Sequence, residues 1–298
     1  GARDEVVLSM GGSGTFARFP VTVKRFEALV NGVVGGKAPK LLAKSREELV
    51  GSLTDPGATT PETLYLAIEV IGLFGERSDA AKCLALLREV QFRDEPHVHV
   101  RIAAARALGR LGGPRGAREL LRVVSKDPAA AVRSIAFASV ASALSGKQDP
   151  RIVRLACQKL AELAPAQDPE PIRFGTARDP RKNAVDSPFD ACLRTLARLE
   201  SRLGIPIALK ALEGENLNAI IAGLAYFSAL GDADQAGGIV TRMRPEDSVD
   251  AFVNRLFARM LAGLTGQDLG VERAAWLKWW AAREDSKRPA GPQREGGK

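Results

Sequence analysis

Residues 97–124 read HVHVRIAAARALGRLGGPRGARELLRVV, two amphipathic segments parted by Gly112, Gly113 and Pro114. In the second segment Ala117, Leu120, Leu121 and Val124 recur at i, i+3, i+4 and i+7, which predicts a helix with that stripe buried. A helix pair with one apolar side cannot bury that side alone, whereas stacked copies can. The chain supplies copies: PETLYLAIEVIGLFGE with RSDAAKCLALLREV comes before, and AAVRSIAFASVASALSG comes after. Their closing glycines, Gly75, Gly112 and Gly146, stand 37 and 34 residues apart, within the period of paired-helix repeats. We read each as a helix end in the left-handed conformation that Gly adopts at little cost. Pro61, Pro114 and Pro128 open helices, where a missing N–H is tolerated.

The fold expected is all-α: a superhelical solenoid of antiparallel helix pairs. Hydrophobic content of 45% with only 5% aromatics suits it, because the apolar residues are mainly Ala, Leu, Val and Ile. At 298 residues the chain exceeds one typical compact domain, a limit that does not bind a solenoid. The solenoid is expected over 61–283. Gly204 comes 58 residues after Gly146, so about two dozen residues are inserted, and the five prolines of 165–188 preclude a continuous helix there. Two more pairs follow, one breaking at Gly231 and one ending in VERAAWLKWWAARE. Residues 1–60 read as a divergent N-terminal segment or cap, with short strands at Val6–Leu8 and Phe19–Val23 and a helix at 40–53. The polar stretch 284–298, rich in Gly and Pro, reads as a disordered tail.

The net charge of +8 is concentrated. Between residues 97 and 160 twelve Lys and Arg face three acids, a net of +9, so the rest of the chain is near neutral. Arg115, Arg118, Arg122 and Lys126 fall opposite the apolar stripe of their helix. In the next second helix Arg151, Arg154 and Gln158 repeat the arrangement, with Ile152, Leu155, Ala156 and Leu160 expected inside. Two such stripes side by side, about 10 Å apart, would clasp an acidic segment or successive phosphates through bidentate arginines. The alternative is an ordinary solvated face. The scarcity of interleaved acids favours binding.

Other motifs carry less. Trp276, Trp279 and Trp280 share one side of the last helix, where bulky residues would close the open end of the stack as a structural cap. His97 and His99 lack neighbouring ligands, and no pattern assigns a metal or a cofactor. Gly36 and Lys37 resemble a phosphate loop, but Asn31 and Ala38 replace the Gly and the Ser or Thr it needs. GGSGT at 11–15 lacks the context of a dinucleotide site. A Ser or Cys nucleophile has no general base to draw on beyond two adjacent histidines. Cys83, Cys157 and Cys192 read as buried free thiols. No apolar run approaches the ~20 residues of a membrane span. The chain starts at Gly1 and not Met, which predicts a trimmed N-terminus and favours an exported or periplasmic setting.

With these residues in view, VRIAAARALGRLGGPRGARELLRVV resembles a HEAT repeat of the short bacterial type, and DPAAAVRSIAFASVASAL resembles the start of the next. LTGQDLGVERAAWLKWW resembles a closing signature of bacterial HEAT-repeat proteins of undefined role. The resemblance implies a right-handed stack, with second helices lining the concave side, and a non-enzymatic scaffold for a protein partner. It leaves two alternatives. One is nucleic-acid binding of the HEAT-like alkylpurine glycosylase kind, for which no catalytic Asp beside groove tryptophans can be placed. The other is a phycobilin-lyase-like or chaperone role. The iron-dependent hydroxylases on HEAT-type repeats use repeated His-Glu pairs, which this chain lacks.

Overall fold

A computed structural model describes residues 6–9, 16–19, 61–88, 97–146, 148–167, 169–170, 172–173, 184–245 and 251–287. Its helices are α1 (Pro61–Phe74), α2 (Ala80–Arg88), α3 (Val98–Leu111), α4 (Gly113–Lys126), α5 (Ala130–Ala143), α6 (Pro150–Leu163) and α7 (Pro188–Arg198) in one compact unit, 1–203. In the second unit, 204–298, lie α8 (Ile205–Glu213), α9 (Leu217–Leu230), α10 (Ala236–Val240), α11 (Ala251–Thr265) and α12 (Arg273–Lys287).

In the first unit α1, α3, α5 and α7 pack in sequence as one layer, and α2, α4 and α6 form the other. In the second unit α9 packs on α11 while α10 touches both α8 and α12. This two-layer stacking of helix pairs is that of an α-solenoid. The core is made of small and branched residues: Val98, Ile102, Ala131 and Val132 cluster where α3 meets α5, with Val123 of α4 packed against them. Small residues let the backbones approach. At Gly109 an added Cβ would stand 2.8 Å from the Ser139 Cβ of α5.

The glycine breaks end helices as the period requires, but mostly for a different reason from the one expected. Gly112, Gly204 and Gly231 have φ of −79°, −74° and −72°, so they are not left-handed. A Cβ at Gly112 would sit 2.6 Å from the Leu108 carbonyl oxygen and 2.7 Å from the Gly116 Cα, so crowding excludes a side chain there. Gly146, at φ +88°, fits the expected conformation, as does Gly113 at +52°, one residue after its break.

The described part of the N-terminal segment is a hairpin, β1 (Val6–Ser9) antiparallel to β2 (Phe16–Phe19). The second strand thus lies earlier than the expected Phe19–Val23. The expected helix at 40–53 falls outside the described residues. The insertion holds β3 (Ile172–Arg173) paired with β4 (Ala184–Val185). Its exit is tied to α5, where the Ser134 hydroxyl donates to the Asp186 carbonyl at 2.6 Å. The helix α12 runs on to Lys287, so ordered chain extends past the expected boundary at 284; residues 288–298 lie outside the described residues. Among the described residues no helix is long and apolar enough to cross a membrane.

Cys83, Cys157 and Cys192 are free and buried. Burial, with Asp79 nearby, pushes the Cys83 thiol up to about 12, and burial also raises Cys157 and Cys192. Thiolate is the reactive form, so at pH 8 a disulfide reagent should label none of them in native protein and all after urea. Fast labelling without denaturant would contradict this burial.

Candidate partner-binding face

The helix α4 places its side chains as its spacing dictates. Ala117, Leu120 and Val124 are buried and Leu121 is half-buried, while Arg115, Arg118, Arg122 and Lys126 are exposed. On α6, which packs beside α4, Arg151 and Arg154 are also exposed. The six cations expected at the partner-binding face therefore lie at the solvent side of two adjacent second helices. Among the described residues, Arg115, Arg118, Lys126, Arg151 and Arg154 enter no ion pair.

Two features differ from expectation. Leu155 is 65% exposed instead of buried, and Cys157 is buried in its stead. The inward face of α6 is thus Ala156, Cys157 and Leu160, which turns Leu155 out between the arginines, one turn from Arg151. The basic stretch is also partly neutralised in place. Arg101 is buried against Asp127, and Arg106 and Arg110 both reach Glu69 of α1, at 3.0 and 3.4 Å. These three arginines hold helices together. Glu69, the partner of Arg106 and Arg110, lies outside the stretch counted as basic, so the free charge there is smaller than the net of +9.

Arg122 is the member of the stripe that is paired. Its Nη1 meets Glu119 Oε1 at 2.9 Å, and Arg88 of α2 meets Oε2 of the same carboxylate at 2.9 Å. Burial alone would raise the Glu119 carboxyl, but the two guanidiniums outweigh it and hold it below the usual carboxylate range. Around this clasp, a groove of about 550 Å³ opens between α2 and α4, lined by Leu84, Leu87, Val123 and Lys126 among others. Sequence reading missed it, because Arg88 and Glu119 belong to different repeats and nothing local joins them.

The three tryptophans gather in the second unit. Trp276 is fully buried, and its indole Nε1 donates to the Gly270 carbonyl at 2.9 Å. Trp279 meets Trp276 edge-on with centroids 5.9 Å apart, and the Arg283 guanidinium lies 5.7 Å above the Trp279 ring. Trp280 lies so close on Gly237 of α10 that no Cβ could stand there. His97 precedes the first residue of α3, with His99 two residues on. Among the described residues no cluster of three or more His, Cys, Asp or Glu could hold a metal.

Residues 53–141 match the family model described as HEAT repeats, an interval that ends within α5 and contains the quoted pair. No curated protein matches the chain at a significant level. The matched interval is thus similar to HEAT repeats, and paired, layered helices continue on its C-terminal side.

Proposed function

We propose that this chain is a non-enzymatic scaffold that captures an acidic surface of another protein through the basic face of α4 and α6. HEAT repeats are generally protein-interaction scaffolds. The observation that carries the finer reading is the set of five exposed cations on adjacent second helices that enter no ion pair among the described residues. A merely solvated face mixes signs, and the unpaired arginines keep all five N–H donors of each guanidinium for a ligand. Leu155, standing out among them, adds an apolar contact of the kind protein interfaces use and phosphate backbones do not.

Reversing Arg118, Arg122 and Arg154 to Glu should weaken capture of the partner about 100-fold, as expected for losing several interfacial arginines and adding repulsion. Pulldown from the native cell reads this directly. Unchanged recovery by the triple variant sinks the proposal. A gel shift with duplex DNA that weakens steeply from low to moderate salt would instead favour nucleic acid.

A further inference from the structure

We infer that the groove between α2 and α4 seats an acidic segment carrying an apolar side chain, and that Glu119 occupies the partner's carboxylate position while the groove is empty. This rests on the reading of the second-helix face as protein-binding and names the chemistry of its ligand.

The groove has an apolar component, Leu84, Leu87 and Val123, and a polar one, Arg88, Glu119, Arg122 and Lys126. Its volume of about 550 Å³ suits a short peptide segment. The clasp at Glu119 is asymmetric. The carboxylate side chain is 10% exposed, whereas those of Arg88 and Arg122 are 58% and 59% exposed. Both guanidiniums thus present unused N–H donors to the groove side while holding one shared acid. Lys126 adds a further cation with no ion pair among the described residues. Asp127, the other acid lining the groove, is taken: it accepts from Arg101 at 2.9 Å and from the Ala129 amide at 2.9 Å. Three cations against one available carboxylate leave an excess of +2 around an apolar floor. A ligand that satisfies both parts carries a carboxylate beside an apolar side chain. A phosphate backbone would satisfy only the cationic part.

Two guanidiniums shared by one internal carboxylate also mean competition. An incoming acid must share Arg88 and Arg122 with Glu119 or displace it from one of them. Glu119 therefore weakens binding, and removing its charge strengthens it.

The test is fluorescence anisotropy of the full chain at low salt with two labelled twelve-residue peptides, one repeating Glu-Glu-Leu-Glu and one all Glu. The leucine-containing peptide should bind about ten-fold tighter, the scale of one buried apolar side chain. Glu119→Gln should tighten it about three-fold, by release of a partly exposed ion pair, and Arg88→Gln should weaken it about ten-fold. Arg88 is largely exposed, so its variant remains folded and informative if Glu119→Gln proves unstable. Equal binding of the two peptides, or indifference to Arg88→Gln, overturns the groove. If Arg118→Glu with Arg154→Glu still weakens both peptides in that case, the broader face survives. Conversely, loss through Arg88→Gln with no effect of the stripe reversals keeps the groove and removes the face. A duplex DNA probe binding tighter than either peptide overturns both.

Discussion

Replacing Asp127 with Ala will destabilise the 1–203 unit by about 3–5 kcal/mol, the scale seen when one partner of a buried ion pair is removed. Arg101 is 1% exposed, and among the described residues Asp127 is the acid it pairs with. Its Nε meets Asp127 Oδ2 at 2.9 Å and its Nη2 meets Oδ1 at 3.3 Å. The same carboxylate takes the Ala129 amide, so its loss strands a donor at the start of α5 as well. Already Arg101 Nη1 has no hydrogen-bond partner among the described residues, which leaves nothing in reserve. The pair spans α3 and the α4–α5 turn, so the damage reaches three helices. Arg101→Met with Asp127→Asn should cost far less, because the charge leaves with its partner while the Asn oxygen still accepts from Ala129. Urea unfolding followed by circular dichroism measures both; a shift under about 1 kcal/mol for Asp127→Ala would show that the pair is not desolvated.

Trp276→Ala will destabilise the 204–298 unit by about 3–5 kcal/mol, the usual cost of emptying a fully buried aromatic site. The indole has no exposed surface, donates to Gly270 and supports the edge of Trp279, so a cavity, a stranded carbonyl and a lost aromatic contact coincide. Trp280→Ala should cost less, since that ring is half-buried. Tryptophan fluorescence with urea separates the two variants. If Trp276→Ala unfolds at the same midpoint as the parent, the tryptophans are not part of a packed end. Capture of an acidic protein by α4 and α6 should be unchanged in either variant, which lies in a different unit.

Periodicity reached the helices because their stripes are local. The quoted pair became α3 and α4 with its break at Gly112, and the burial of Ala117, Leu120 and Val124 follows directly from spacing. Leu155 did not follow, because α6 is oriented by what α4 and α7 present to it, and Ala156 with Cys157 makes the closer-fitting face. The glycines were legible as breaks but not as to cause. Whether a Cβ clashes with Leu108 or Tyr226 depends on partners up to 22 residues away. For the candidate site, exposure of Arg115, Arg118, Arg122, Lys126, Arg151 and Arg154 was readable from helix geometry. What each arginine meets was not: Arg106 and Arg110 find Glu69 about 40 residues upstream, and Glu119 draws Arg88 across from the preceding repeat. Ion pairing across repeats leaves no signature in a single repeat.

The most direct measurement of the central claim is site-specific photocrosslinking from the two layers. A benzophenone side chain at position 118, on the second-helix face, and another at position 73, where Leu73 of α1 is 57% exposed on the first-helix layer, report which side meets the partner. The account predicts crosslinks to an acidic protein from position 118, abolished by Arg122→Glu with Arg154→Glu, and none from position 73. Crosslinks to the same protein from position 73 alone would contradict it.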